Sequence, residues 1–368
     1  MKHSELENYR NTINDIDDRI LSLLQKRAEI SKQVGALKTE TGALNVYVPH
    51  RHREVIERLK LRNQSCGGEM AFSDAAVEAV WTEILSASRA LQAPERVAFL
   101  GPFGSFGHLA SLCHFGSSVA FIPVQPQIDI FTEVEAGRAD YGVVAIQNSV
   151  QGTVRDVLER FQGTPLKICA EIYQPVRQHL LSKSSLSEIR KIYSHPQPFA
   201  QCRIWLNRFM KATEQVEVVS TSVAAQRAAV EPMTGAIASR LASDIYEVPV
   251  VADSIMDEPN NTTRFFVIGE CDAQPSGADR TSLFFTIRDK VGALYQVLGV
   301  LQGHGLNMSY LESLPSRAEP WEYIFFVEMD GHLAEAHVRA AMERLEDLCR
   351  SVKILGSYPR GSFRYTPS

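Results

Sequence analysis

The segment Asn260–Phe265 reads NNTTRF, which places amides, hydroxyls and one cation directly before an apolar run that ends at Ile268. A run of aromatic and β-branched residues is typical of a strand, so we expect the polar residues at the mouth of that strand. Hydroxyl, amide and guanidinium groups that converge in this way can bind an anion. On its own, the segment also fits a polar turn in which Arg264 makes a surface ion pair.

A second set of residues with binding chemistry lies within the first ninety residues. Apolar residues from Leu6 to Leu37 follow a 3-4 spacing, which predicts one long helix with a coiled-coil-like stripe. Arg27 interrupts that stripe, and a buried cation requires an anion. Lys38 falls within about 20° of the same helix face and about 16 Å along it, so the two side chains can reach one small dianion.

Arg10 cannot reach the same place, because it lies about 25 Å from Arg27 along the helix and on a different face. If Arg10 contributes to a pocket of this kind, the pocket belongs to a second copy of the chain. The spacing therefore predicts a helical dimer. For Arg10 and Lys38 taken singly, the alternative is a cation on a solvated helix face.

Two further predicted helices complete this region. One carries Arg51 and His52, and the other begins after Ser73, a residue type that often caps helices. The apolar face of the last helix turns polar at Ser88 and Gln92, which are four residues apart and share a face. This polar pair also fits simple fraying of the helix end.

Residues 1–93 resemble the all-helical chorismate mutase family, which implies a pericyclic rearrangement of a dicarboxylate. The resemblance implies that Arg10 is donated to the partner subunit's pocket. His52 and Val48 depart from the pattern, because the family has a glutamate at the first position and some members have an aspartate at the second. Reduced or lost mutase activity is therefore the alternative. The implied catalytic residues are Arg27, Lys38, Arg51 and His52, and the implied substrate-binding residues are Arg10, Ser88 and Gln92.

From Arg96 onward, short β-type runs alternate with helical segments, which predicts an α/β domain that binds ligands at the carboxyl ends of its strands. Five of these strand ends are followed by small polar residues, namely Gly101–Ser105, Gln147–Ser149, Ser194–Pro198, Thr221–Ser222 and Ser239. Each alone is ordinary turn chemistry. Together with the NNTTRF segment they predict a cleft for a small molecule that bears carboxylates. No glycine-rich phosphate-binding pattern occurs, so we expect no nucleotide.

The stretches FLGPFGSFGHLA, SHPQPFAQC, TSVAA, IAS and NNTTRF resemble prephenate dehydratase over residues 95–272. This resemblance implies an α/β domain of two lobes, like a periplasmic binding protein, and the conversion of prephenate to phenylpyruvate. It implies that the Thr263 hydroxyl assists the departure of the ring hydroxyl. The implied substrate-binding residues are Gln147, Asn148, Ser149, Ser194, Gln197, Thr221, Ser222 and Arg264.

Two positions depart from the dehydratase pattern. Gln147 replaces a glutamate and cannot deliver a proton, and Arg240 replaces another glutamate and reverses its charge. Two alternatives to an ordinary dehydratase follow. One is an enzyme that diverts prephenate to another product, for example by decarboxylation without aromatisation. The other is a ligand-binding regulatory paralogue that has lost one or both activities.

A linker rich in Pro, Gly and Ser precedes residues 279–358, where the order βαββαβ predicts an α+β ferredoxin-like domain. One short motif opens its first helix and another ends its second strand, and both fit an ordinary turn and strand end. They resemble the phenylalanine-binding motifs of the ACT domain. Leu314 replaces an arginine of the second motif, which predicts that feedback inhibition by phenylalanine is weakened. The implied effector-binding residues are Gly292, Ala293, Leu294, Glu312, Ser313, Leu314 and Pro315.

Composition limits the remaining possibilities. A chain of 368 residues with 45% hydrophobic content and a net charge of −5 predicts two or three globular domains that bind neither nucleic acid nor a membrane. We expect a cytoplasmic protein, because the sequence shows no leader and no membrane-spanning run. Six scattered cysteines predict reduced thiols without a metal site, and no cofactor is expected. The domain order resembles the bifunctional chorismate mutase/prephenate dehydratase family, which implies chorismate, prephenate and L-phenylalanine as ligands of a homodimer or larger homo-oligomer.

Overall fold

The computed structural model describes residues 2–41, 46–66, 72–270, 273–316 and 323–361. These residues form a helical unit, an α/β unit with two lobes, and a four-stranded sheet with two helices. The predicted fold class is confirmed in all three parts.

Three helices form the first unit, namely α1 (Lys2–Glu40), α2 (Pro49–Cys66) and α3 (Asp74–Ala90). Ser73 caps α3 as predicted, because its hydroxyl accepts a hydrogen bond from the amide of Ala76 at 3.2 Å. Gly35 allows α1 to approach the end of α3 closely, since a Cβ at this position would lie 2.8 Å from the Cα of Gln92.

The amino-terminal part of α1 leaves its apolar stripe uncovered by the described residues. Five stripe residues are between 47% and 69% exposed, namely Leu6, Tyr9, Ile13, Ile16 and Ile20. Each apolar side chain left in water forgoes roughly 25 cal/mol for every Å² that could be buried. A contiguous exposed apolar face of this length is typical of an interaction surface.

A buried ion pair connects the helical unit to the α/β unit. Arg89, near the end of α3, donates from Nε to the Glu95 carboxylate at 2.8 Å and from Nη2 to the carbonyl of Phe115 at 2.7 Å. The two charged side chains are only 8% and 4% exposed. Burial raises the pKa of Glu95, which the Arg89 charge partly offsets. Because a buried charge without its partner is costly, this pair constrains how the two units meet.

The first lobe of the α/β unit begins directly after Glu95. Its elements, up to the crossing into the second lobe, are β1 (Arg96–Leu100), α4 (Phe106–Phe115), β2 (Ala120–Val124), α5 (Asp129–Glu135), β3 (Tyr141–Asn148), β4 (Gly152–Thr153), α6 (Arg155–Arg160) and β5 (Lys167–Pro175).

The second lobe is a five-stranded sheet with four helices. Its elements are β6 (His179–Leu181), β7 (Lys191–Ser194), α7 (Pro196–Gln201), α8 (Arg203–Phe209), β8 (Glu214–Glu217), α9 (Thr221–Val230), β9 (Thr234–Ala238), α10 (Arg240–Tyr246) and β10 (Val250–Ala252). The strands lie in the order β10-β6-β9-β7-β8. The chain then returns to the first lobe as β11 (Thr262–Gly269).

Strand β11 is inserted into the middle of the first sheet, whose order is β2-β1-β3-β11-β5. It pairs antiparallel with both β3 and β5, whereas β1 pairs parallel with β2 and β3. The first polar residues of β11 therefore lie beside the last residues of β3. This arrangement places the NNTTRF segment at a strand mouth, as predicted.

The third unit has the predicted βαββαβ order. Its elements are β12 (Asp279–Thr286), α11 (Ala293–Gly303), β13 (Met308–Pro315), β14 (Tyr323–Asp330), α12 (Ala336–Leu348) and β15 (Ser351–Pro359), with the strands in the order β13-β14-β12-β15. Helices α11 and α12 cover one face of this sheet. The other face shares an apolar core with the first lobe, in which the rings of Phe266 and Tyr358 lie 5.8 Å apart.

No helix among the described residues is long and apolar enough to cross a membrane. The same residues contain no cluster of three side chains that could hold a metal ion. The prediction of reduced thiols holds for Cys113, Cys202 and Cys349. It is wrong for Cys169, which is disulfide-bonded.

Candidate functional site

The helical unit contains a pocket of about 680 Å³ between its three helices. Arg27 on α1 reaches into the wall formed by α3, where its guanidinium donates to the hydroxyl of Ser88 and, at 3.4 Å, to the carbonyl of Ile84. Lys38 donates to the carbonyl of Val46 at 3.3 Å. Both cations line the pocket, as the helix geometry predicted.

Burial lowers the pKa of Arg27, and it also lowers that of Lys38, where Glu95 partly opposes the effect. These shifts have one physical cause, which is that two positive charges stand partly out of water beside a cavity. A small anion in the pocket would offset the free-energy cost of burying these two positive charges. The site is therefore suited to an anionic ligand.

The other predicted residues of this pocket occupy different parts of its wall. Arg51 lines it but is 59% exposed and pairs with Glu54 at 2.7 Å. His52 and Val48 also line it. Gln92 lies beside Ser88, and its Oε1 is buried and accepts no hydrogen bond from the described residues.

Arg10 does not line this pocket. It lies on the exposed amino-terminal part of α1, in the same stretch as the uncovered apolar stripe. The structure of one chain therefore separates Arg10 from Arg27, as the helix geometry predicted.

In the α/β unit, Asn148 and Thr263 meet at the mouth of β3 and β11. The two residues are paired in register, and Asn148 Nδ2 donates to Thr263 Oγ1 at 2.9 Å and to Asn261 Oδ1 at 2.8 Å. The Oδ1 of Asn148 accepts from the amides of Val150 and Gln151 at 3.0 and 3.1 Å. With both ends of its amide fixed, Asn148 holds the Thr263 oxygen in one orientation.

Ser149 continues this arrangement one residue further along. Its amide donates to the carbonyl of Thr262 at 2.9 Å, and its hydroxyl accepts from the amide of Thr262 at 3.0 Å. Ser149 therefore extends the pairing of the two strands past the end of β3.

Three of the predicted site residues lie in the first turns of helices of the second lobe. Gln197 lies in the first turn of α7, and Thr221 and Ser222 lie in the first turn of α9. Ser222 is fully buried, and its hydroxyl has no hydrogen-bond partner among the described residues. Ser194 is different, because its fully buried hydroxyl donates to the carbonyl of Ile237 at 3.0 Å. The prediction that Ser194 frames the substrate pocket is therefore corrected, since this hydroxyl supports the sheet.

The two lobes touch through the loop that follows β1. The Ser239 hydroxyl donates to the carbonyl of Gly104 at 2.7 Å, and the Tyr246 hydroxyl donates to the carbonyl of Phe103 at 2.8 Å. Arg240, one of the two departures from the dehydratase pattern, is exposed and pairs with Asp253 at 3.4 Å. This charge therefore lies on the surface of the second lobe.

Arg264 requires a second correction, because it is only 5% exposed and does not face the cleft. Its guanidinium donates to Glu171 on β5 and to Glu328 on β14, at 2.8 and 2.7 Å for the Nε and Nη1 bonds. Successive side chains of a strand point to opposite faces, so Thr263 and Arg264 diverge. Arg264 is thus committed to the junction with the third unit and is not available to a substrate carboxylate.

Gln147, the other departure from the pattern, pairs in register with Arg264 and with Thr153. The side chains of both these residues reach the third unit, where the Thr153 hydroxyl contacts Tyr310. The role of Gln147 in substrate binding stays a prediction.

Gln174 lies next to Thr263 and is not among the site residues predicted from the sequence. It lies directly opposite Thr263 in the pairing of β5 with β11, and opposed residues of antiparallel strands share a face. Gln174 is 7% exposed, and its Oε1 accepts no hydrogen bond from the described residues. No strand was predicted over residues 167–175, although their apolar and β-branched content is a strand signal.

Comparisons with known proteins agree with this arrangement of units. Family models match in three segments, namely "Chorismate mutase type II" over residues 9–93, "Prephenate dehydratase" over residues 97–273 and "ACT domain" over residues 281–347. A curated bifunctional chorismate mutase/prephenate dehydratase of Aquifex aeolicus is 40% identical over 97% of this chain and 98% of its own. This chain belongs to the bifunctional chorismate mutase/prephenate dehydratase family.

Two solved structures each resemble 74% of this chain. A prephenate dehydratase from Arthrobacter aurescens, solved in complex with L-Phe, is 29% identical with a TM-score of 0.66 and covers 74% of this chain and 92% of its own. GqqA, described as a novel type of quorum quenching acylase, is 28% identical with a TM-score of 0.67 and covers 74% of this chain and 100% of its own.

The two ACT motifs lie at the start of α11 and at the end of β13. Gly292 adopts a left-handed conformation with φ of 77° as the residue before α11, which suits glycine. Ala293 is buried and Leu294 is half-buried behind it. Glu312 accepts from the hydroxyls of Tyr310 and Thr153 at 3.0 and 3.2 Å.

Ser313 and Pro315 are exposed at the end of β13, but Leu314 between them is fully buried. Leu314 belongs to the apolar core shared by the ACT sheet and the first lobe of the dehydratase. The prediction that Leu314 contacts the effector is therefore wrong in this structure. An apolar side chain at this position serves the packing between the two sheets.

The burial of Leu314 leads to a stability prediction. We expect Leu314→Ala to lower the free energy of unfolding by about 2 to 5 kcal/mol, because it removes buried methyl groups and leaves a cavity. Leu311→Ala is the matched control on the same strand, where the side chain is 37% exposed, and should cost about 0.5 kcal/mol or less. Denaturant unfolding of the full chain measures both, and equal losses would contradict the assignment of Leu314 to the core.

Proposed function

We propose that this chain rearranges chorismate to prephenate in the helical unit and converts prephenate to phenylpyruvate in the α/β unit, as two steps of phenylalanine biosynthesis. The observation that carries the proposal is the full-length relationship at 40% identity to a curated bifunctional enzyme. The cation-lined helical pocket and the Asn148–Thr263 pair supply the chemistry. This relationship favours the two-step enzyme over a binding protein or a diverted activity.

In the mutase pocket no proton needs to move, since the reaction is pericyclic. The residues must hold a dicarboxylate in its folded conformer and meet the negative charge that develops on the breaking ether oxygen. Arg27 and Lys38 provide the partly buried cations for the carboxylates. Ser88 and Gln92 provide polar groups on the opposite wall, and His52 takes the place of the family's glutamate.

The mutase proposal includes a homodimer. The exposed apolar stripe of α1 would be covered by a second copy, whose own Arg10 would then reach the pocket of the first. An interface made by two identical helices is self-complementary, so each chain would donate one Arg10 and receive one.

Complementation between two inactive variants tests this exchange. We expect Arg10→Met and Arg27→Met each to lower mutase kcat/KM by about 100-fold or more, because each removes a charge that meets the transition state. When the two variants are unfolded and refolded together in equal amounts, about a quarter of wild-type activity should return. Half of the dimers are then hybrids, and each hybrid has one complete pocket.

The matched control mixes Arg27→Met with Lys38→Met. Arg27 and Lys38 each act in the pocket of their own chain. Every chain in the mixture therefore has a defective pocket, so no hybrid dimer is active and no activity should return. If the mixture with Arg10→Met recovers no more activity than this control, Arg10 does not act across the dimer.

In the dehydratase, prephenate loses its ring carboxylate as carbon dioxide, and the electron pair released aromatises the ring as the ring hydroxyl departs. The leaving oxygen needs a proton or a strong hydrogen bond. We assign that hydrogen bond to the Thr263 hydroxyl, which is oriented by the amide of Asn148 at 2.9 Å. A hydroxyl that already accepts one hydrogen bond is a better donor for the next.

Removing the Thr263 hydroxyl tests the proposed dehydratase. We expect Thr263→Val to lower kcat for phenylpyruvate formation from prephenate by about 100-fold or more with little change in KM, because the lost hydrogen bond strengthens in the transition state. Thr263→Ser, which keeps the hydroxyl, should retain most activity. Chromatographic identification of the product is part of the assay. A wild-type chain that consumes prephenate without forming phenylpyruvate would refute the proposed reaction.

Feedback regulation by L-phenylalanine completes the proposal. It is supported by the ACT fold of residues 281–347 and by the related prephenate dehydratase that was solved with L-Phe. The Gly292 turn and the exposed residues at the end of β13 are the proposed contacts. We also assign the protein to the cytoplasm, which its similarity to bacterial biosynthetic enzymes supports.

Equilibrium dialysis of L-phenylalanine against the full chain tests the effector. We expect saturable binding with a dissociation constant below about 1 mM, which corresponds to a binding free energy of at least about 4 kcal/mol in magnitude. The Gly292→Val variant should bind less tightly, since a β-branched residue strains the left-handed turn. Absence of binding at millimolar ligand would remove the regulatory part of the proposal.

A further inference from the structure

Four charged side chains form a buried cluster where the dehydratase meets the ACT domain. Arg264 lies on β11 and Glu171 on β5 of the dehydratase, while Arg280 lies on β12 and Glu328 on β14 of the ACT domain. The side chains are between 1% and 8% exposed. Two cations and two anions share the cluster, so its formal charge is balanced.

Arg264 is the centre of this cluster. Its Nη1 and Nη2 donate to the two oxygens of Glu328, both at 2.7 Å, and its Nε donates to Glu171 at 2.8 Å. A two-point bond between a guanidinium and a carboxylate fixes direction as well as distance. Burial opposes the charge of Arg264, but Glu328 and Glu171 outweigh it, so the pKa of the guanidinium is raised.

The remaining contacts attach the cluster firmly to the ACT sheet. Arg280 donates to Glu171 at 2.8 Å and to the Tyr173 hydroxyl at 3.2 Å. The hydroxyls of Ser282 and Tyr358 each lie 3.4 Å from Glu328. The position of Glu328 is therefore set by the ACT sheet, and Glu328 together with Glu171 holds the guanidinium of Arg264.

Arg264 directly follows Thr263, and the pairing of β11 with β3 shifts register between Arg264 and Phe265. Pairing on the β3 side of β11 is thus irregular one residue beyond Thr263, whereas pairing with β5 stays regular from Thr262 to Val267. At such an irregularity the ladder alone fixes the backbone less tightly. The buried guanidinium on one face of the strand adds a constraint next to this irregularity, directly beside Thr263 on the other face.

We propose that Glu328 of the ACT domain is a positioning residue for the dehydratase reaction, which it serves by anchoring Arg264 and thereby orienting Thr263. The inference rests on the proposed dehydratase function. It gives the ACT sheet a direct part in the geometry of the active site in addition to its effector motifs.

The primary test is Glu328→Gln in the full chain, assayed for both activities. The change keeps the shape of the side chain but removes its charge and one of its acceptor oxygens. We expect dehydratase kcat to fall by about 10- to 100-fold with KM changed less than about twofold, because a slightly misplaced group loses rate more than binding. Mutase activity of the same preparation should be unchanged. Glu328→Asp, which keeps the charge, should restore part of the lost kcat.

Lys353→Met is the matched control at the same domain junction. Lys353 Nζ donates to the carbonyls of Phe161, Gln162 and Thr164 at 2.8, 3.1 and 2.7 Å, and none of these partners lies on β11. Its loss should lower thermal stability while dehydratase kcat stays within about twofold of wild type. An equal loss of kcat in Lys353→Met and Glu328→Gln would overturn the proposal, since docking alone would then explain the effect.

A charge-balanced variant covers the case in which Glu328→Gln does not fold. Glu328→Gln combined with Arg280→Met leaves one cation with one anion, so no buried charge lacks a partner. We expect this variant to fold and still to show the lowered kcat. Full kcat in the folded double variant would overturn the inference. A wild-type chain that forms no phenylpyruvate would instead show that the proposed function itself has failed.

Discussion

Strand β11 meets a different environment on each of its two faces, and much of the molecule is organised around this fact. On one face, Thr263 lies beside Asn148 and opposite Gln174 at the strand mouth. On the other face, Arg264 enters a buried charge cluster and Phe266 enters the apolar core shared with the ACT sheet. The alternation of side chains along a strand makes the division unavoidable. The proposed substrate chemistry and the docking of the ACT domain therefore depend on neighbouring residues of one strand.

The buried charge cluster constrains this junction more than it stabilises it. Two carboxylates that are 1% exposed would be very costly alone, and they are tolerated because two guanidinium groups face them. An apolar core would tolerate small shifts between the sheets, but bonds that require both distance and direction do not. The cluster thus specifies one orientation of the ACT sheet on the dehydratase lobe, while the surrounding apolar core provides most of the attraction.

The helical unit differs from this junction, because part of its apolar surface stays exposed within one chain. Its pocket has cations from α1 and polar groups from α3, yet the amino-terminal part of the apolar stripe of α1 stays largely exposed and Arg10 does not line the pocket. The proposed second copy would cover the stripe and complete the pocket together. Folding of the long helix and formation of the mutase site would then be one event.

The properties that depend on local geometry could be predicted from the order of the residues alone. Helix spacing was enough to place Arg27 and Lys38 at one pocket and to separate Arg10 from it, because positions on a helix follow from its pitch alone. The order of strands and helices was likewise enough to identify the ferredoxin-like unit. The surroundings of Arg264, Leu314, Ser194 and Gln174, in contrast, became clear from the folded chain. Each lies in or next to a strand, where the sequence predicts two faces but not what will pack against either one. Which face meets substrate and which meets another domain depends on pairing partners that are distant in the chain.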